Sequence, residues 1–440
     1  MNPADASRSA VEAIWDSVGS GPRATVVDSP PGAGKSTLVR ELARRQAATG
    51  VRVPVAAQTN HQADDLVRGF VADGLAGGLT IGRLHSGTYV MPSDIAGLPG
   101  IAGSQRLNDL TGCDIIVATG AKWATVEAPE PWPLVIVDEA YQMRSDAFLH
   151  MGRISTRLLL VGDPGQLDPF TSADDRYFRG RPVPSTGNAA STILRTHPNS
   201  SQITLPVSWR LDERAAPVIS DAFYLRPFEA GQAPGTRALT FPLAAMNRDV
   251  QRTVLQAAST GWAFVELEAA LMPEVDLEIA ETIGDVVREL LARGGTLRDG
   301  EAIGTLRASQ IAVGVAHNSQ KSAVVGQVRR VCAELGLPLD SVVVDTANRL
   351  QGREFAVVIV WHPLSGRRDA TEFHADAGRL CVLTSRHRHA CIVVGRAGIE
   401  EQLDTFPDNE DVWLNENVST VDGIQAQAKF LNHLLRHKVA

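Results

Sequence analysis

The sequence predicts an α/β protein of two lobes, each built around a parallel sheet. Three observations carry that prediction. Short, continuous apolar runs recur along the chain, as strands covered on both faces require. The clearest of them end in polar or charged groups, where a parallel sheet places its ligand sites. Stretches of helical periodicity separate the runs, and the alternation occurs twice over similar lengths, which implies two lobes with a cleft between them. The 440-residue chain has room for two or three domains, and the boundary falls near residue 205, giving 1–205 and 206–440.

In order along the chain, residues 5–18 read as a helix with Ala10, Val11, Ile14 and Val18 on one side. The first strand, Ala24-Thr25-Val26-Val27, runs into Asp28-Ser29-Pro30-Pro31-Gly32-Ala33-Gly34-Lys35-Ser36-Thr37. A helical pattern follows with Leu38, Val39, Leu42 and Ala43 on one face. Strands are expected at 53–57, 114–118, 134–137 and 158–161, ending in Gln58-Thr59-Asn60-His61, Thr119, Asp138-Glu139 and Gly162-Asp163. A helix through Ala63, Leu66, Val67 and Phe70 follows the first of these. Residues 76–111, rich in Gly, Pro and Ser, read as a short loop-rich insertion. Residues 171–205, with Pro182, Pro184, Ser185 and Gly187, read as the connection out of the first lobe. In the second lobe, helices at about 212–223, 276–293 and 319–335 alternate with strands at 263–267, 311–315, 342–344, 356–360 and 391–394. The acidic tract Glu400–Asp411 and an amphipathic C-terminal helix at about 422–436 (Ile424, Phe430, Leu431, Leu434, Leu435) either pack on their own lobe or dock a partner.

Hydrophobic residues make up 44% of the chain and charged residues 21%, the balance of a globular protein. The net charge of −8 excludes a bulk positive field, so any nucleic acid must be held in a local groove. Only five of the 42 basic residues are lysines, and Lys35 is one of them. Cys113, Cys332, Cys381 and Cys391 form no C-x-x-C pair and lie in apolar surroundings. They read as reduced core thiols of a cytoplasmic protein, not as metal ligands or disulfides. No apolar run approaches the roughly 18 residues that span a bilayer, and residues 1–10 lack an apolar signal region.

The chemistry begins at residues 28–37. Strand, glycine-rich turn and helix form the context of a phosphate-binding loop. The backbone of Pro31, Gly32, Ala33, Gly34, Lys35, Ser36 and Thr37 would cradle phosphate oxygens at the positive end of the helix. Lys35 would reach the β/γ-phosphates, and the Ser36 hydroxyl would hold Mg²⁺. At the end of a second strand, Asp138 would hold the same Mg²⁺ through water, and Glu139 would polarise the attacking water as general base. Gln166, in Gly162-Asp163-Pro164-Gly165-Gln166-Leu167, has the reach of a group that hydrogen-bonds both the γ-phosphate and that water. ATP and Mg²⁺ are the cofactors these residues imply.

In their order, these motifs resemble those of superfamily 1 helicases, in the branch of the nonsense-mediated-decay helicase and related viral and bacterial enzymes. That family carries a phosphate loop, a D-E-A-x-Q box (here Asp138-Glu139-Ala140-Tyr141-Gln142) and a G-D-x-x-Q-L element. Later stretches match too. Leu205-Pro206-Val207-Ser208-Trp209-Arg210-Leu211 is similar to the family's Q-Y-R-M element, with Arg210 as the phosphate-contacting arginine. Leu350-Gln351-Gly352-Arg353-Glu354 is similar to its Q-G-R-E element. Arg379–Arg388 is similar to its final element, with Arg386 as the arginine finger. The resemblance covers about residues 5–396 and suggests a compact bacterial or phage member. It implies two tandem RecA-like P-loop NTPase lobes with parallel sheets and an ATP cleft between them. It also implies a single-stranded nucleic-acid track, DNA ahead of RNA, and an ATP-driven helicase or translocase, with 5′→3′ movement suggested by the branch. The rival readings are an ATPase that clamps or displaces proteins without unwinding, and a scaffold subunit of a defence or repair complex.

By the same resemblance, Gln351, Gly352 and Glu354 belong to the nucleotide site, and Thr59, Asn60, Thr119 and Thr346 touch the nucleic-acid backbone. Short hydroxyl and amide side chains suit contacts without sequence information, though all four also suit helix caps. Arg83 and His85 either add phosphate contacts or solvate a loop. Trp123 and Trp209 either stack on bases or pack inside. His387, Arg388 and His389 read as a solvated helix end. The chain departs from the family at three places. Ser7 stands where the family has a Gln that reads adenine, which leaves base selectivity open. His317 stands in the P-Y-x-x-Q element, and Asn348 replaces an Asp. The short insertion lacks the stalk and barrel of larger members, which favours translocation or remodelling over strong unwinding.

Overall fold

The computed structural model describes residues 2–75, 78–128, 130–169, 187–242, 249–272, 275–368, 370–405 and 421–439. Residues 182–185 and the second half of the tract 400–411 therefore lie outside the described residues. The chain divides into two compact units. The first takes the described residues up to Pro164 and Asp168–Pro206; the second takes Gly165–Leu167 and the described residues from Val207 onward.

The first unit is one parallel sheet of eight strands: β1 (Ala24–Asp28), β2 (Val53–Ala57), β3 (Ile81–Leu84), β4 (Ile101–Ser104), β5 (Ile115–Thr119), β6 (Val135–Asp138), β7 (Leu158–Gly162) and β8 (Ser201–Thr204). Their order is β4-β3-β5-β2-β6-β7-β1-β8. The apolar runs are continuous because each strand feeds two cores. Val27, Val55, Val117, Ile136 and Leu159 pack into one cluster, and their neighbours Val26, Ala56, Ile116, Val137 and Leu160 pack into the other. The helix Pro3–Ser20 buries Ile14 and Val18, as its periodicity predicts, and Asn2 caps its first turn.

Two expectations are corrected in this unit. The stretch 76–111 is not merely loop: it supplies β3 and β4, which extend the sheet at one edge, and a short 3₁₀ turn at Leu107–Leu110. Within 171–205 the described part forms the helix Ala189–Thr196 and edge strand β8. Both new edge strands are four residues long and carry polar or glycine positions, so they lack the apolar run that marks the interior ones.

The second unit contains the pair β9 (Val207–Ser208) and β10 (Glu229–Ala230). An antiparallel sheet is made from β11 (Arg237–Thr240), β13 (Thr296–Asp299) and β14 (Ala302–Thr305). A parallel sheet is made from β12 (Trp262–Leu267), β15 (Ile311–Val315), β16 (Val343–Thr346), β17 (Phe355–Trp361) and β18 (His387–Arg396), in the order β12-β18-β17-β15-β16. Again two clusters cover its faces, with Val313, Ile359 and Ile392 on one and Ala312, Val358, Val360 and Val393 on the other. The C-terminal helix Gly423–Leu435 packs on its own unit. Phe430 sits 5.7 Å from the Phe223 ring and 5.6 Å from the Trp262 ring. All four cysteines are buried and free of disulfides. Among the described residues no helix is long and apolar enough to cross a membrane.

The solvated helix end expected at 387–389 is instead the start of β18. His387 and His389 are buried there, and the His387 ring lies edge-on to Trp262 at 4.9 Å. Burial pushes His387 down to about 4, against the pull of Asp212. The ring is neutral in the fold and titrates near 6.5 when unfolded. Between about pH 6.5 and 4 the unfolded chain therefore binds the extra proton, and stability falls as pH falls through that window. The expected loss is on the order of 3 kcal/mol. Melting curves across that window should be less steep in pH for His387→Leu than for the wild type.

Candidate functional site

The phosphate loop owes its shape to two glycines. Gly32 and Gly34 adopt φ of 73° and 88°, which side chains with a Cβ rarely adopt. Ser29, in place of the usual first glycine, is not among the positive-φ residues; its N–H donates to Gly162 O at 2.7 Å and its side chain is buried. Glycine is not needed there. The helix Lys35–Ala47 starts at Gly34 with no side-chain cap, which leaves the N–H groups of its first turn available to an anion. Ser36 and Thr37 are exposed at that turn.

β6 delivers Asp138 and Glu139 to the same place. The Lys35 ammonium pairs with the Glu139 carboxylate. Burial alone would lower Lys35, but Glu139, Asp138 and Asp163 outweigh it and hold it above its ordinary value. Burial pushes Asp138 up, against the pull of Lys35. Glu139 has a φ of 57° and is the one non-glycine residue with positive φ among the described residues. Such a backbone costs roughly 1–3 kcal/mol and clusters at functional sites. It is held by the Glu139 N–H to Asp138 Oδ1 at 2.9 Å and the Ala140 N–H to Val161 O at 3.0 Å. Gln142 Nε2 donates to Glu139 Oε2 at 2.7 Å. The donor set of Ser36 hydroxyl and Asp138 carboxylate fits a hard, oxygen-seeking cation such as Mg²⁺.

The sheet sorts the remaining candidates. Lys35 lies beyond the carboxyl end of β1, and Asp138 and Gly162 are the last residues of β6 and β7. Thr59 and Thr119 stand at the carboxyl ends of the next strands along, β2 and β5, where Ala57 pairs with Thr119. Thr59 and Asn60 are exposed, and Thr59 forms a capping box with Gln62. Thr119 is half-buried and caps Lys122 N at 3.2 Å. One edge of the first sheet thus carries a phosphate site and, beside it, a row of hydroxyl and amide groups.

Arg83 does not join that row as a phosphate contact. It is fully buried on β3, paired with Asp64 at 2.9 Å, and its Nη2 donates to Asn60 Oδ1 at 2.9 Å. Tyr89 lies against the guanidinium at 4.8 Å and donates to Asp64 at 2.6 Å. Arg83 therefore anchors Asn60. Its replacement by Met would strand a buried carboxylate and is expected to lower stability by roughly 3–5 kcal/mol in denaturant titration. His85 is half-buried, with Nδ1 2.9 Å from Ser86 O. Trp123 is fully buried and donates to Val55 O, so it is not a stacking platform; Trp209 is half-buried.

In the second unit the assigned residues fall at opposite ends of the parallel sheet. Glu354 and Arg386 immediately precede β17 and β18, whereas Thr346 and His317 stand at or beyond the carboxyl ends of β16 and β15. Arg210 Nε donates to Glu354 at 3.1 Å, and Arg388 pairs with Glu354 at 3.4 Å and with Asp299. Arg386 is 1% exposed; its Nε donates to Val382 O at 3.1 Å, and Nη2 has no partner among the described residues. Gln166, expected with the first lobe, belongs to this unit, where its Oε1 accepts from Gln351 Nε2 at 3.0 Å. Gly352 takes a φ of 79°. His317 stacks on Phe373 at 4.8 Å and approaches His374 Nε2 at 2.8 Å. No motif or spacing marks Arg237, buried and bonded to Trp209 O at 2.8 Å, because only the tertiary fold brings β11 to the 209–210 turn.

Two AAA domain families match the chain, AAA_30 over residues 6–174 and AAA_12 over residues 190–398. The DNA replication ATP-dependent helicase/nuclease DNA2 of Mus musculus is 25% identical over 430 residues, covering 93% of this chain and 39% of the relative. The Homo sapiens protein of the same name is 24% identical over 436 residues, with the same coverage. The chain thus spans about two fifths of the length of these curated relatives. Among solved structures, an arterivirus nonstructural protein 10 (helicase) in complex with DNA aligns with a TM-score of 0.44 and 14% identity. It covers 90% of this chain and 63% of that one. The PRRSV helicase aligns with a TM-score of 0.42 and 14% identity over 88% and 54%. Neither structural likeness bears on function. With AAA domains matched in both halves and the six motifs in order between them, the chain belongs to the superfamily 1 helicases.

Proposed function

We propose that this chain is an Mg²⁺-ATP-dependent motor that moves along single-stranded nucleic acid and unwinds or remodels it. The observation that carries this reading is the shared edge of the first sheet. Lys35, Asp138 and Glu139 converge beside the strand ends that hold Thr59, Asn60 and Thr119. Ser36 and Asp138 would hold Mg²⁺, which supplies charge neutralisation at the β/γ-phosphates. Glu139 takes the proton of the attacking water; Gln142 orients its carboxylate. Lys35, released from Glu139 once phosphate oxygens compete for it, holds the γ-phosphate. Gln166, Arg210 and Arg386, with Gln351, Gly352 and Glu354 around them, are assigned to sensing and stabilising the transferred phosphoryl group. Thr346 is assigned to the track with Thr59, Asn60 and Thr119. DNA is favoured as the track because the curated relatives are named for DNA replication. We place the protein in the cytoplasm. A protein partner in a larger complex is part of the same reading.

Partial duplexes with a 5′ or a 3′ single-stranded tail, some blocked by streptavidin at the tail end, test this reading. ATP-dependent strand or streptavidin displacement on one tail polarity is expected. Hydrolysis with displacement of neither, on both tails and both polymers, would contradict it.

A further inference from the structure

A buried carboxylate in the first unit stands outside the catalytic set. Asp28 ends β1, begins the phosphate-loop stretch and is 4% exposed. The Tyr141 hydroxyl donates to Asp28 Oδ1 at 2.6 Å, and Gln202 Nε2 donates to Asp28 Oδ2 at 2.9 Å. Tyr141 is 3% exposed and lies two residues beyond Glu139. Its ring is fixed by Gly162, where an added Cβ would meet the ring at 2.9 Å and the backbone nitrogens of Ala140 and Tyr141 at 3.0 Å. Gln202 is on β8, which pairs with β1 so that Val26 faces Gln202. One carboxylate therefore joins three elements: the root of the phosphate loop, the turn that carries the general base, and the edge strand that closes the sheet.

The loop needs such an anchor. Between Asp28 and the helix it consists of Ser29, two prolines, Ala33 and two positive-φ glycines, with Ser29 N–H donating to Gly162 O and Ala33 N–H to Pro30 O. Displacements of about 1 Å at a phosphoryl-transfer site can cost on the order of 100-fold in rate. We propose that Tyr141 and Gln202, acting through Asp28, are positioning residues that hold the phosphate loop in register with Asp138 and Glu139. The proposal rests on the ATPase reading above and concerns residues outside the D-E-A-x-Q side chains that act on nucleotide.

Tyr141→Phe keeps the ring against Gly162 and removes one hydroxyl. Affinity for a fluorescent ATP analogue, KM, kcat and nucleotide-free melting would be measured on the full chain. The expected result is a melting temperature within a few degrees of wild type, a raised KM and a lowered kcat. Together these should lower kcat/KM about tenfold or more. Lower melting with kcat/KM within twofold of wild type would assign a purely structural role and overturn the proposal. The second arm removes the other bond. Gln202→Leu takes away the Nε2 donor to Asp28 Oδ2 and should lower kcat/KM about tenfold with melting within a few degrees of wild type. Unchanged kcat/KM in a stable Gln202→Leu variant overturns the proposal. Wild-type protein that binds no ATP analogue would overturn the nucleotide reading itself. Wild type that binds it, beside variants that behave like it, overturns the clamp alone.

Discussion

Glu139→Gln is expected to lower ATP turnover by roughly 10²–10⁴-fold, the usual worth of a positioned general base, while ATP affinity stays within a few-fold. The substitution preserves shape and the acceptor for Gln142. It removes the basic oxygen that receives the water's proton and the charge that pairs Lys35. With that pair gone, Lys35 is available to phosphate from the start, so binding does not weaken and the protein stalls with nucleotide bound. Single-turnover hydrolysis and equilibrium binding of the same analogue separate the two effects. A variant that loses affinity and turnover equally would make Glu139 a structural partner of Lys35 instead of the base.

Arg386→Lys is expected to cost about 10³–10⁵-fold in turnover, the range for an arginine that stabilises a transferring phosphoryl group. Lysine keeps the charge but not the planar fork of donors. Arg386 spends Nε on Val382 O, and Nη2 is buried without a partner among the described residues. A buried donor left unsatisfied costs about 1–3 kcal/mol, which fits a group whose acceptor comes with the substrate. Because the side chain is 1% exposed, melting is measured alongside. A loss of turnover that tracks a loss of fold would assign Arg386 to the core. Retained turnover in a stable variant would remove it from the nucleotide site.

The sheet interiors and the phosphate site were legible because their signals are local. Val53–Ala57 and Ile311–Val315 are apolar throughout, and strand, glycine turn and helix around Lys35 declare their geometry in ten residues. What escaped depends on distant partners. β3 contains a glycine and an arginine in four residues, and only Asp64 and Tyr89 explain why Arg83 is buried. The run Arg386-His387-Arg388-His389 looks solvated, yet alternate residues of a strand point to opposite faces. Here Trp262 packs against His387, while Asp299 and Glu354 pair Arg388. The left-handed backbone at Glu139 and the Asp28 junction leave no trace in spacing or composition, since both arise from contacts between β1, β6, β7 and β8. Gln166 sits in its motif as expected, but its amide partner Gln351 lies 185 residues away.

The most direct measurement is steady-state ATP hydrolysis with and without single-stranded DNA and single-stranded RNA, at low and moderate salt, beside Glu139→Gln. A nucleic-acid motor gives turnover that rises on adding one polymer, loses that stimulation as salt displaces the backbone contacts, and is absent in the variant. Turnover in the wild type that neither polymer changes at any salt would contradict the account.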